Sequence, residues 1–251
     1  MLTSSFAEPR PRLIVVSHER SGTHFLMNGM MKAYRYISYP WIDFDYFKTD
    51  INFYHPESIV RFFDQFRSVN LANIVKSHHQ FEFFKEAIER IIDDFTILYI
   101  YRDPRDVMRS MFRFLNETEW VEGPKVSSPS ELIRAQPMGY MMRYQMKQSL
   151  NMLRRWSDHV DGWRRAVEKY PEAIIPVRYE DLDTRYSETI TDIGRKLGMD
   201  PISFLRPRKD RNVIAPGETK RYEWDSDDYR LFRRYAGEMM DTCGYAGPEQ
   251  L

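Results

Sequence analysis

Four short apolar runs, at residues 13–16, 72–75, 95–101 and 173–177, constrain the fold more than any other feature. They are continuous rather than alternating, which suits strands buried on both faces of a parallel sheet. Parallel strands need long crossovers, and helical periodicity fills the intervals between the runs. Met27, Met30, Met31 and Tyr34 keep one helical face after the first run, and Phe81, Phe84, Ile88 and Ile91 do the same after the second. Asp103 and Pro104 read as the N-cap and first residue of a helix carrying Val107, Met111, Phe112 and Leu115. Tyr186, Ile190, Ile193 and Leu197 form another stripe, closed by Gly198. A last helix starts at Ser226 and turns Leu231, Phe232, Tyr235 and Met239 inward before Gly244. The span 140–170 reads as mostly helical, with Met146, Leu150, Leu153, Val160 and Trp163 facing the core. The alternation predicts an α/β chain: a three-layer α/β/α fold around a central, mostly parallel sheet.

The 251 residues suit one domain over 13–251, preceded by a flexible tail at 1–12 that carries Pro9, Arg10, Pro11 and Arg12. With 37 basic and 37 acidic residues the chain has no net field to draw in nucleic acid or an anionic membrane, so any anion site must be local. No apolar run approaches the ~18 residues of a membrane span, and no secretory signal opens the chain, so a cytoplasmic protein is expected. The lone Cys243 excludes a disulfide framework, and His18, His24, His55 and His159 show no ligand spacing, so no metal is expected. The proline-bearing segments 116–139 and 200–221 lack periodicity and read as lids or binding loops.

In a parallel sheet, ligands bind beyond the carboxyl ends of the strands. The residues there are 17–24, 76–79, Arg102 and 178–181, and the convergence of Arg20, Lys76, His78 and Arg102 at one edge describes a pocket for an anion. Between the first strand and its helix, Ser21, Gly22 and Thr23 offer hydroxyls, close backbone approach and a helix N-terminus to a phosphate or sulfate. No lysine follows the glycine as a Walker A loop requires, which speaks against an ordinary ATPase or GTPase.

The stretch 17–25, Lys76 with Ser77 and His78, the run 101–107 with Ser110, and the run 178–182 share their order and approximate spacing with the sulfotransferases that use 3′-phosphoadenosine 5′-phosphosulfate (PAPS), the cytosolic type in particular. The resemblance runs from about Leu13 to Tyr245 and takes in Trp156, His159 and Trp163. It implies a P-loop-like phosphosulfate-binding loop made of Arg20, Ser21, Gly22, Thr23 and His24, with Phe25 stacking on adenine and Tyr179 near it. It implies that Arg102 and Ser110 bind the 3′-phosphate, that His78 is the catalytic base, and that Lys76 is a cation beside the transferred group. His79, leaving the strand in the opposite direction, is the packing neighbour. The reaction implied is in-line sulfuryl transfer from PAPS to a hydroxyl, or as second choice an amine, of a small-molecule or carbohydrate acceptor. Adenosine 3′,5′-bisphosphate (PAP) is then the other product, and no metal takes part.

Two departures bear on this. Many family members carry lysine where this chain has Arg20, and arginine can clamp a phosphate but not readily give up its proton. The family's C-terminal glycine-rich pattern is degraded around Arg211 and Gly217, which are assigned to the 3′-phosphate by position alone, and the dimer motif is not evident, leaving oligomeric state open. A nucleotide-dependent kinase and a non-catalytic bisphosphate-binding protein are the alternatives; the first lacks Walker A, and the retained His78 argues against the second. Tyr36, Tyr39, Trp41, Phe44, Tyr46, Phe47, Phe53 and Tyr54 line an acceptor site or belong to the core.

Overall fold

The computed structural model describes residues 10–44, 52–117, 123–208 and 222–245. Arg211, Gly217, Tyr46 and Phe47 lie outside the described residues. Five strands, β1 (Arg12–Ser17), β2 (Ile37–Asp43), β3 (Asn73–Ser77), β4 (Phe95–Tyr101) and β5 (Ile174–Arg178), form one sheet in the order β2-β3-β1-β4-β5. Every pairing is parallel, with Val16 opposite both Ser77 and Tyr99, and Tyr101 opposite Arg178. β1 opens at Arg12, one residue before the expected domain boundary; this side chain reaches the carbonyls of Val69 and Arg67.

Alternate residues of each strand enter two separate cores. Leu13, Val15, Ile74, Leu98, Ile100 and Ile175 face α1 (Thr23–Tyr34), α7 (Tyr179–Thr184) and α8 (Tyr186–Leu197). Ile14, Val16, Val75, Ile97, Tyr99 and Ile174 face α2 (Pro56–Asp64), α3 (Ile88–Ile92) and Trp163 of α6 (Met152–Lys169). This is the three-layer α/β arrangement the apolar runs imply. A third cluster joins α4 (Pro104–Glu117), α5 (Pro129–Arg134), α6 and α9 (Ser226–Thr242) around Met108, Leu132, Trp156 and Phe232. Burying a side chain as large as Trp156 or Trp163 is worth roughly 3–5 kcal/mol against truncation.

Several elements depart from expectation. β2 is an additional edge strand; it carries Pro40, tolerated because only one side needs ladder donors. The stripe from Phe81 to Ile91 is not one helix: a 3₁₀ turn at Phe81–Phe83 is followed by α3, with Phe84 N–H bonded to the Phe81 carbonyl and Ala87 N–H to that of Phe84. Phe83 and Phe84 enter the core around Phe44 and Trp163, and that packing overrides the continuous helix. Within 140–170, a 3₁₀ segment at Gly139–Tyr144 stops, and Asn151 restarts the chain as α6 by accepting from Arg154 N–H. Leu150 therefore lies outside the helix, 59% exposed rather than in the core, and Met31 is likewise exposed. The helix after β4 begins at Pro104 as expected, with Asp103 Oδ1 accepting from Arg105 N–H at 2.8 Å. Ser226 and Gly198 mark their helix ends as expected.

Candidate active site

The chain passes from β1 out to β2, back through β3, then across β1 to β4, so the strand order reverses at β1 and opens a crevice beyond the carboxyl ends of β1 and β4. The loop after β1 and the start of α4 form its two walls. On the loop, Arg20 and Gly22 both take left-handed backbone conformations, at φ 67° and 98°. A Cβ at Gly22 would fall 2.3 Å from the Tyr179 ring, so glycine is required twice over, by conformation and by space. Gly22 also caps α1 without a side chain, and no acidic residue occupies the first turn, which leaves the helix N-terminus to an incoming anion.

Arg20 Nε donates to Ser110 Oγ at 3.1 Å, and the Arg20 guanidinium lies 4.7 Å from the Phe114 ring. Arg102 Nη1 approaches the Arg20 carbonyl at 3.5 Å, and its guanidinium lies 4.2 Å over Tyr179. Burial, then the charges of Arg102 and Arg113, push the Arg20 guanidinium down to about 10, so it stays a cation among cations. The buried Ser21 Oγ and Arg102 Nε have no hydrogen-bond partner among the described residues. Two orphaned donors flanking a crowded cationic crevice fit a bound phosphate or phosphosulfate.

His78 stands one residue beyond β3, beside the end of β1. Its Nδ1 is 2.9 Å from the Ser17 carbonyl and 3.2 Å from Ser17 Oγ, which in turn is 2.6 Å from Thr23 Oγ1. Lys76 leaves β3 on the same side and meets Asp43 at 3.9 Å and the Trp41 ring at 5.6 Å. His24 packs on the other side of this group, 4.7 Å from Trp41; burial, with Lys76, His78 and Arg20, pushes its imidazole down to about 3. His79 is fully buried among Phe44, Phe53, Phe83 and Tyr144, the place expected of the packing neighbour. Phe25 is also buried, against Tyr179 and Tyr186, and Arg206 covers its ring at 5.4 Å; Tyr179 is the more accessible ring.

Sequence reasoning missed two contributions. Asp43 comes from the overlooked edge strand, as does Trp41, which the sequence offered for an acceptor site or the core but not as a neighbour of Lys76. Beneath the loop, Arg155, His18, Glu19 and His159 form a buried polar cluster, with His159 Nδ1 at 3.2 Å from Tyr99 Oη. The indoles of α6 hold the strand ends from behind: Trp156 donates to the Arg102 carbonyl and Trp163 to that of His79, at 3.2 and 3.0 Å. These two tryptophans stand seven residues apart, hence on one helix face.

Burial pushes His18 down to about 4 and holds His159 well below its ordinary value. Both rings are therefore neutral when folded, while the unfolded chain takes up protons near pH 6.5. Their contribution is fully present above that pH and is lost as pH falls towards 4; His18 alone accounts for about 2 kcal/mol between pH 7.5 and 5. Urea unfolding at the two pH values checks this, and an unchanged midpoint would contradict it.

Comparison with known proteins decides the family. The sulfotransferase domain family matches residues 10–206. The chain belongs to the sulfotransferase family. This bears out the resemblance to the PAPS-dependent enzymes and the expected enzyme class. Among solved structures, mouse sulfotransferase SULT7A1 complexed with PAP is 18% identical over 92% of this chain and 66% of its own, with a TM-score of 0.51. Retinol dehydratase, solved with retinol and PAP, is 16% identical over 92% of this chain and 82% of its own, with a TM-score of 0.56. A sulfotransferase from Alicyclobacillus acidocaldarius is 14% identical over 95% of this chain and 97% of its own, with a TM-score of 0.53. The comparison with curated proteins found no match. At these identities the structures share the fold. Among the described residues of this sulfotransferase no helix is long and apolar enough to cross a membrane.

Proposed function

We propose that this sulfotransferase moves a sulfuryl group from PAPS to a hydroxyl, or second an amine, of a small-molecule or carbohydrate acceptor, with His78 as general base. When bound, PAPS supplies a sulfuryl group activated by its bond to a phosphate. The observation that carries the reading is the 2.9 Å contact between His78 Nδ1 and the Ser17 carbonyl. A carbonyl only accepts, so Nδ1 holds the proton of the neutral ring and Nε2 is the basic nitrogen. His78 Nε2 takes the acceptor's proton as its oxygen attacks, and an unactivated hydroxyl is a poor nucleophile without that help.

Lys76 and Arg20 offset the charge that grows on the departing side, together with the amides at the start of α1. Arg20 acts as a clamp, since its guanidinium stays charged. Ser110 accepts from Arg20 and keeps its own proton to donate, so Arg102 and Ser110 form the 3′-phosphate site across the crevice from the loop. Tyr179 and Phe25 hold the adenine, and Arg211 and Gly217 complete the 3′-phosphate site. The roles of Ser21, Gly22, Thr23 and His24 follow from their place on the loop and the first turn of α1. Incubation with PAPS labelled in the sulfuryl group tests the reading against a panel of phenols, alcohols, sugars and amines. Label is expected in a hydroxyl compound without added metal, and label reaching no acceptor while PAP binds would favour a non-catalytic bisphosphate-binding role.

A further inference from the structure

The buried cluster beneath the loop takes no part in the steps just described. Arg155 projects into it from α6, 2% exposed. Its Nη2 donates to Glu19 Oε1 at 2.7 Å and approaches the Met141 carbonyl at 3.3 Å; Nη1 meets His18 Nε2 at 2.8 Å, and Nε donates to Gln145 Oε1 at 2.8 Å. Burial works against the Glu19 carboxylate, but Arg155, with His18 and His78, outweighs it and holds the carboxyl well below its usual range. A buried ion pair seldom adds net stability over well-packed apolar residues, so stability is a weak account of this arginine.

A guanidinium has only donors, which obliges His18 Nε2 to accept. The proton of the ring must then sit on Nδ1, and Nδ1 donates to the Glu19 carbonyl at 2.9 Å. That carbonyl and the Arg20 N–H belong to one trans peptide and point in opposite directions. With the carbonyl drawn towards the buried ring, the Arg20 N–H turns away from the core, towards the crevice. The Ser21 N–H closes the turn on the His18 carbonyl at 3.2 Å.

We propose that Arg155 is a positioning residue for the donor: by fixing the tautomer of His18 it sets the Glu19–Arg20 peptide and aims an amide at the phosphosulfate end of PAPS. This rests on the donor reading above. Its reach to Met141 and Gln145 ties the same loop to the segment that carries Tyr144, whose ring meets His78 at 5.6 Å.

The test reads three things in the full chain: the His18 tautomer by long-range ¹⁵N–¹H NMR without ligand, PAP affinity by calorimetry, and the ligand-free melting temperature. The variants are Arg155→Met combined with Glu19→Gln, which removes both charges, and Arg155→Lys, which keeps the charge beside Glu19 but cannot reach both partners. Arg155→Lys keeps the question answerable where the double variant does not fold. Wild-type His18 is expected to be protonated on Nδ1, and each folded variant to lose that single tautomer with PAP affinity weakened about 10-fold, the loss of one charge-assisted hydrogen bond. A merely structural role would lower the melting temperature and leave tautomer and affinity alone. Wild-type His18 protonated on Nε2, or a variant with an altered tautomer and unchanged PAP affinity, overturns the proposal. Wild-type protein that fails to bind PAP while showing the Nδ1 tautomer overturns the donor reading instead, and this proposal's ligand with it.

Discussion

Replacing His78 with alanine lowers turnover by roughly 10²–10⁴-fold while PAP affinity changes little. The ring is held on one side by the Ser17 carbonyl and hydroxyl and on another by the edge of Tyr144, so its basic nitrogen is fixed in place before any acceptor arrives. Lys76 and Arg20 are untouched by this change, so on the proposed assignment losing the imidazole removes the proton acceptor but leaves the cations assigned to the nucleotide. The adjacent histidine gives the control. His79 is fully buried, stacked on Phe53 at 4.3 Å, and His79→Ala should act through stability. A folded His79→Ala that is inactive beside an active His78→Ala would mean that the base is misassigned.

Much of the site could be read because strand ends in a parallel sheet are forced together. Once the runs ending near Ser17, Lys76 and Tyr101 were strands, Arg20, His78 and Arg102 had to share one edge. The rest was hidden by context. Tyr39, Pro40 and Trp41 look like turn and core residues locally, and only an edge position lets Pro40 sit in a strand, so Trp41 and Asp43 were not seen as neighbours of Lys76. Arg155 stands among Trp156, His159 and Trp163 on the buried side of α6; an arginine at such a position reads as a solvated face until Glu19 and His18 are known to lie opposite. The Phe81 to Ile91 stripe has helical spacing, but the pull of Phe83 and Phe84 into the aromatic core is a tertiary fact.

Arg102→Ala is expected to weaken PAPS binding by roughly 10–150-fold, the worth of one charge-assisted hydrogen bond of ~1.5–3 kcal/mol. Its charge is not cancelled where it stands: Asp106 is 3.6 Å away but half exposed, and such pairs hold little energy. Its Nε is buried without a partner among the described residues, and its guanidinium is oriented by the Tyr179 face. Part of the loss will pass through the Arg20 carbonyl it supports, but the discrimination is specific. Wild-type protein should prefer PAPS to adenosine 5′-phosphosulfate, which lacks the 3′-phosphate, and Arg102→Ala should erase most of that preference. Turnover at saturating donor should fall less than affinity, because the 3′-phosphate is remote from the sulfur. Ser110→Ala should do the same more weakly, a neutral hydroxyl giving the weaker bond. An unchanged preference in the Arg102 variant would move the 3′-phosphate elsewhere, to the segment holding Arg211 and Gly217.

On the proposed reading, arginines and backbone donors at the β1 and β4 ends hold a bisphosphorylated adenosine without a metal. Thermal unfolding of the wild-type chain with PAP in EDTA, set beside ATP with magnesium, separates this from a metal-dependent nucleotide site. PAP alone is expected to raise the melting temperature, with stabilisation approaching ~2.7 kcal/mol at about 100 times its dissociation constant. Stabilisation by magnesium-ATP with none from PAP would contradict it.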